Sequence, residues 1–267
     1  MPDNAQLAQL FERQDVLDAW LASDACKTIK RLKTFELSRK VFEGNYGEWE
    51  RAIVSRHTDD PKQILMDGRD RTWVEDYLVE VTRTFHNLAA SAFTLVDHSR
   101  KFHAELYATD NLIPDYQQHV DDTFVNPAEP HVVKCLRNYV QHKSLPLVNA
   151  SFGLQFSPTG GIINWSVELN TARLLEDFDW TAQARSFVEQ SAPKLDLAAL
   201  LRTYRDLVVN FQDWFASEQH RVHKGAFDQR DVVNQRLQEL NPANGHAPET
   251  DVEVASATNS TEDQGSE

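Results

Sequence analysis

The stretch Arg71–Leu106, RTWVEDYLVEVTRTFHNLAASAFTLVDHSRKFHAEL, decides the fold class of this 267-residue chain. Apolar residues recur in it at alternating steps of four and three, which places them along one stripe of an α-helix. The spacing therefore predicts one long helix whose apolar face packs against a partner helix. Ser99 alone interrupts the stripe, which consists of Val74, Leu78, Val81, Phe85, Leu88, Ala92, Leu95, Ser99, Phe102 and Leu106.

Other segments repeat this helical pattern. Residues 6–21 and 25–42 also have helical spacing. Two long apolar seams are what an antiparallel helical bundle requires, so we predict a mainly α fold of that kind. The second seam, nearer the C-terminus, consists of Leu197, Leu201, Tyr204, Val208, Phe211 and Phe215.

A shorter helix is predicted over residues 126–143. Asn126 can cap its start, Pro127 suits the first helical position, and Glu129 completes a capping box. A proline three residues after Lys143 predicts that the helix ends near that lysine.

A β-hairpin is predicted at about residues 147–169, inserted in the bundle. Apolar residues alternate with polar or small ones along 148–156 and again along 163–169. The sequence SPTGG at 157–161 provides turn residues between the two runs.

The last 26 residues differ in composition from the rest. Residues 242–267 contain no Lys or Arg, and they carry six of the 14 net negative charges. They also lack large aliphatic and aromatic residues, so they cannot bury enough apolar surface to order a chain. We therefore predict a helical-bundle domain over residues 1–241 and a disordered acidic tail over 242–267.

The acidic balance of the body argues against a broad nucleic-acid-coating surface, which needs many cations. RNA contact at a small basic site is compatible with this acidic charge balance. The clearest basic patch lies on the second helix, where two interpretations stay open: a solvated helix face or an edge that contacts phosphates. Its members are Lys27, Lys30, Arg31, Lys33, Arg39 and Lys40.

Cysteine usage and hydropathy indicate a cytoplasmic protein. The two cysteines, Cys26 and Cys135, do not form a disulfide framework. Residues 1–14 are polar and do not resemble a signal peptide, and no apolar run of membrane-spanning length occurs. We expect no contact with a membrane.

The residues most indicative of chemistry are Arg137, Asn138 and His142, on the predicted short helix. Residues four apart share a helix face, so Asn138 lies one turn before His142. An imidazole titrates near neutral pH and can move the proton of a ribose 2′-OH, while a guanidinium binds phosphate oxygens. This chemistry needs no metal and no cofactor. One imidazole does not readily act as both acid and base, so a homodimer that pairs two histidines is expected.

This segment resembles the motif of the HEPN (higher eukaryote and prokaryote nucleotide-binding) superfamily, in which four to six residues separate an arginine from a following histidine. The resemblance implies a helical bundle that dimerises and acts as a metal-independent endoribonuclease, as in toxin–antitoxin and defence systems. It makes Arg137 and His142 catalytic and Asn138 an accessory residue. RNA is the expected partner, together with an antitoxin or other protein. The expected RNA-contacting residues are Lys134, Gln141 and Lys143.

Four alternatives stay open at the level of sequence. The loose pattern also occurs from Arg51 to His57, with five residues between them, although that pair lacks the adjoining asparagine. Basic residues at a helix end also interact favourably with its carbonyls, without any catalytic role. A HEPN-like protein without activity would be an interaction or nucleotide-binding module. His220 and His223 are spaced like metal ligands, but a surface pair is the stronger interpretation because no third ligand completes a known pattern.

Overall fold

The protein is mainly helical, with a small antiparallel sheet, and this confirms the predicted fold class. The computed structural model describes residues 4–54, 72–142, 148–157, 160–176 and 178–240. The elements are α1 (Asn4–Ala22), α2 (Asp24–Val54), α3 (Thr72–Leu106), α4 (Tyr116–Val120), a π-helical turn (Asp121–Val125), α5 (Ala128–His142), β1 (Val148–Ser157), β2 (Gly160–Asn170), α6 (Thr171–Glu176), α7 (Ala182–Gln190), β3 (Lys194–Asp196), α8 (Leu197–Val222) and α9 (Lys224–Glu239).

The chain divides into two compact units. Unit 1 comprises Met1–Glu36 and Ala216–Glu267, and unit 2 comprises Leu37–Phe215. The boundary falls inside α2 and inside α8, so each of these helices contributes to both units. The expectation of one domain over residues 1–241 stays a prediction, and the acidic tail lies outside the described residues.

Helix α3 follows the stripe that the spacing predicts. Val81, Phe85, Leu88 and Leu95 are buried on one side of it, whereas Val79 is exposed. Burial of such side chains contributes about 1.5–3 kcal/mol each, which is more than helix propensity differences contribute. The apolar stripe is therefore the main reason that this segment forms a helix in the folded protein.

The one polar member of the stripe, Ser99, has a polar partner in unit 2. Ser99 is only 2% exposed, and its hydroxyl donates a 2.8 Å hydrogen bond to the Leu95 carbonyl. The side-chain amide of Gln212, which is buried in α8, donates a 2.9 Å hydrogen bond to the same hydroxyl oxygen. The pair satisfies polar groups that would otherwise be costly to bury, and it aligns α3 with α8.

Helix α2 is longer than the sequence pattern predicts. The prediction ends near residue 42, but the helix continues through two glycines to Val54. Each glycine costs about 1 kcal/mol of helix propensity. Tyr46, Trp49 and Ile53 are buried on the added turns, and their burial outweighs that cost.

The predicted hairpin is present, and a third strand extends it. β1 and β2 are antiparallel, in a register that pairs Val148 with Leu169. β3 adds to the free side of β2, where Leu195 pairs with Leu169, and both of these side chains are buried. Three residues carry too little periodicity to predict a strand, so β3 is absent from the sequence-based expectation.

Unit 1 has a small apolar core of its own. Trp20, Cys26, Ile29 and Leu237 form it, and they bring together α1, the start of α2 and the end of α9. An ion pair between Glu12 of α1 and Arg236 of α9 lies at the surface of this unit.

Candidate functional site

Helix α5, which carries the predicted motif, is held by its apolar side. Val132, Val133, Leu136 and Tyr139 are buried, and the helix packs against α3 and α7 of unit 2. The Tyr139 ring meets Phe178 edge-on at a centroid distance of 5.6 Å. A rigid, packed helix is a suitable support for side chains that must act with fixed geometry.

The start of α5 differs from the expectation. Asn126 has helical backbone angles and closes the π-helical turn, and its side-chain amide donates to Asp122 at 3.2 Å. The predicted cap is therefore wrong, since Asn126 serves the turn that comes before α5. The Asn126 carbonyl accepts a 2.8 Å hydrogen bond from the Gln183 amide, which links α7 to this corner.

Arg137 and Asn138 lie together on α5. The Arg137 Nη1 donates a 3.1 Å hydrogen bond to the Asn138 side-chain oxygen, and both residues are partly buried. The guanidinium carbon lies 5.0 Å from the centre of the Phe93 ring on α3, within cation–π range. These two contacts restrict the rotamers of a long side chain, so the cation has a defined position.

One N–H of this guanidinium has no partner of its own. The Arg137 Nε is buried, and it makes no hydrogen bond within the described part of the chain. An unpaired buried N–H costs about 1–3 kcal/mol. Arg205 shows the same feature above the Tyr46 ring, so an unpaired Nε does not by itself mark a binding site.

The side of α5 that the helical spacing predicts to be polar is partly buried. Cys135 lies on the same line as His131 and Asn138, but it is a buried free thiol. His131 donates from Nε2 to the Val125 carbonyl at 2.9 Å, which occupies one of its two ring nitrogens. Of the described residues on this line, His131 and Asn138 are partly exposed and Cys135 is buried.

The predicted RNA-contacting residues are partly described. Lys134 is exposed on α5. The backbone of Gln141 and His142 forms the last turn of the helix, but their side chains lie outside the described part of the structure, as does Lys143 entirely. The structure thus brings Arg137 and Asn138 together, and the position of the imidazole relative to them stays a prediction.

The competing arginine–histidine pair has a different setting. Arg51 is exposed in the last turn of α2, and its Nε donates to the Gly47 carbonyl at 3.0 Å. This is the helix-end arrangement that needs no catalytic explanation. His57 lies outside the described residues.

Stacked histidines in unit 2 form a feature that the sequence analysis missed. His103 stacks on Tyr116 at a centroid distance of 3.6 Å, and His119 stacks on Trp214 at 3.7 Å. Burial lowers the pKa of His103 and raises the pKa of Tyr116 to about 12. No local sequence pattern indicates these stacks, because the stacked residues lie on three different helices.

The lowered pKa of His103 predicts how stability depends on pH. Above the unfolded-state pKa of about 6.5 the ring is neutral in both the folded and the unfolded state. The pKa difference then has no effect on the free energy of unfolding. As pH falls below that value the unfolded chain binds a proton before the folded chain does, so the free energy of unfolding decreases. His103→Phe, which keeps the stack on Tyr116, should lose less stability than wild type between pH 7.5 and 5.5 in urea titrations. His86→Phe, at an exposed site on the same helix, is the control, and equal losses in all three proteins would contradict this assignment.

The histidine pair near the end of α8 is used in packing. The His220 ring stacks on Phe227 at 4.4 Å, and burial lowers the pKa of His223. Among the described residues no three His, Cys, Asp or Glu side chains are grouped closely enough to hold a metal ion.

Two further observations bear on the class of protein. Within the described chain, none of the helices combines the length and the apolarity that crossing a membrane would require. Comparisons with protein-family models, with curated proteins and with solved structures found no match.

Proposed function

We propose that the chain is a cytoplasmic, metal-independent endoribonuclease of the HEPN type that cleaves RNA through attack of a 2′-OH. The observation that carries the proposal is the hydrogen bond from Arg137 to Asn138 on the last turns of α5. It ties the guanidinium to the helix face on which His142 follows four residues later. A guanidinium that binds phosphate and an imidazole that moves protons are the groups that metal-independent phosphodiester cleavage uses.

Each group has a defined role in the proposed reaction. The His142 imidazole removes the proton from the ribose 2′-OH, and the 2′ oxygen forms a bond to phosphorus. The bond between phosphorus and the 5′ oxygen breaks, and a second acid gives that oxygen a proton. The products are a 2′,3′-cyclic phosphate and a 5′-OH end. Arg137 donates hydrogen bonds to the phosphate oxygens, on which negative charge grows in the transition state.

The second acid is the reason to propose a homodimer. Two α5 helices that meet across a two-fold axis would place the His142 of each chain in one cleft. Lys134, which is exposed on the same helix, and the neighbouring Gln141 and Lys143 would then contact the RNA backbone. In the cell such an enzyme acts as a toxin or defence effector that an antitoxin or other partner protein restrains.

The test of this proposal is a cleavage assay with and without a metal chelator. Purified protein should cut single-stranded RNA at the same rate in excess EDTA, and the fragments should end in cyclic phosphate. DNA of the same sequence, which lacks the 2′-OH, should stay intact. Cleavage that stops in EDTA, or fragments with linear 3′-OH ends, would overturn the mechanism.

A second candidate rests on the contacts of Arg137 itself. Its hydrogen bond and its stack on Phe93 are intramolecular, and they would equally suit an arginine that holds α5 against α3. The chain would then be a non-catalytic interaction or nucleotide-binding module, that is, a degenerate HEPN protein. Protein that never cleaves RNA but binds a nucleotide or a partner protein would favour this candidate.

A further inference from the structure

The first turns of α2 carry the densest positive charge of unit 1. Cys26 and Ile29 are buried on one side of the helix, and the cationic residues lie on the others. We call this surface the basic face, and it consists of Lys27, Lys30, Arg31 and Lys33. Lys27 and Arg31 are four residues apart, so they share one exposed side of the helix.

Among the described carboxylates, Asp24 pairs with Lys27, and this ion pair is weak. Asp24 accepts a 2.9 Å hydrogen bond from Lys27, with side chains that are 97% and 66% exposed. Ion pairs of this exposure contribute little to stability, because water and salt screen them. A ligand with several negative charges can therefore displace Asp24 at little cost.

The end of α9, which precedes the acidic tail in the chain, packs against the first turns of α2. Leu237, in the last turn of α9, shares one core cluster with Cys26 and Ile29 of α2. Leu240, the last described residue, is also buried. Residue 242 comes two positions after Leu240, so the tail begins near a helix end that packs on the apolar side of this part of α2.

Length and charge of the tail match this surface. Its six carboxylates include Glu249, Asp251 and Glu253, close together in sequence, and it contains no Lys or Arg. A chain of this length has a typical reach of about 25–30 Å, whereas the basic face spans only about two helical turns, or roughly 11 Å. Tethering gives an effective concentration in the millimolar range, which favours the tail over a free ligand.

We propose that the acidic tail, residues 242–267, binds the basic face of α2 in its own chain. The tail then occupies the basic face, and any polyanion that binds there must first displace it. Because this contact is electrostatic, it weakens as ionic strength rises. The proposal does not depend on the cleavage reaction, since it concerns α2 and the tail alone.

The amide signals of the tail in nuclear magnetic resonance spectra of the full chain test this contact. In low salt the signals of residues 249–253 should differ from those of a free peptide of residues 241–267. They should move to the free-peptide positions in the variant that carries both Lys27→Glu and Arg31→Glu. In about 1 M salt, where the Debye length is about 3 Å, the wild-type signals should move in the same way.

A matched variant controls for overall charge. Lys101→Glu with Arg185→Glu changes the net charge equally, at two exposed positions in unit 2. It should leave the tail signals in their wild-type positions, and unchanged core amides in both variants would verify folding. Adding Glu249→Lys and Glu253→Lys to the α2 variant should again separate the signals of residues 250–252 from those of a free peptide that carries the same two substitutions.

Three results would overturn the proposal. The tail signals of wild type could coincide with the free peptide in low salt. The control variant could move them as much as the α2 variant does. A dependence on protein concentration would place the tail on a second copy instead of on its own α2.

Discussion

Replacing His142 with alanine is expected to lower the rate of RNA cleavage by roughly 10²- to 10⁴-fold, the usual contribution of a positioned general acid or base. Replacing Arg137 with alanine should lower kcat by roughly 10²- to 10³-fold, because the phosphate loses a preorganised donor. Both rates are read from the initial cleavage of a labelled single-stranded RNA under saturating conditions. Far-ultraviolet circular dichroism verifies that each variant is folded.

Two further variants separate catalysis from structural support. Arg137→Lys keeps the charge but loses the planar fork, so its activity should fall between wild type and Arg137→Ala. Arg51→Ala removes the arginine of the other matching pair, whose Nε donates to a helix carbonyl, and cleavage should stay near the wild-type rate. If Arg51→Ala and Arg137→Ala lost activity equally, the assignment of the site to α5 would be wrong.

The second large effect is on stability. Phe85 is fully buried on α3, and Phe85→Ala should lower the free energy of unfolding by about 3–5 kcal/mol. The cost has two parts, namely the lost transfer of an aromatic ring from water and the cavity that remains in the packed core. The measurement is the midpoint of urea unfolding at constant m-value.

Val79→Ala is the matched control for the core substitution. Val79 lies on the same helix but is 66% exposed, so its loss should change stability by less than about 0.5 kcal/mol. Similar midpoints for the two variants would contradict the placement of the α3 stripe in the core.

The long helices α3 and α8 were predictable because their signals are local. The apolar stripe of α3 and the seam of α8 recur at a spacing that only a helix places on one face, and both helices are present. The hairpin was predicted almost to its ends for the same reason, since alternation and turn residues are read within a few positions.

The errors occurred where contacts distant in sequence outweigh local preference. Two glycines lower the helix propensity of α2, but the burial of Trp49 and Ile53 stabilises the helix beyond them. Asn126 is of a residue type that commonly caps the start of a helix, yet it ends the π-helical turn before α5 instead. β3 exists because β2 offers it a partner, and its own three residues contain no strand signal.

Some features of the candidate site also follow from the sequence, whereas others depend on tertiary contacts. Its residue types and their positions along α5 are a matter of sequence, and so is the expectation that Asn138 and His142 share a helix face. The orientation of the Arg137 guanidinium is not, because it depends on the Phe93 ring of another helix. Burial of Cys135 on the predicted polar line likewise depends on the elements that pack around α5.

By itself, therefore, the sequence determined the helical class, the hairpin and the order of residues in the motif. Each of these follows from periodicity or backbone preference within one segment. Only the tertiary structure decided the partner of Ser99, since Gln212 is 113 residues away, and the contacts that hold Arg137. The physical reason is that a side chain's position depends on what packs against it, and no local pattern specifies which distant segment that will be.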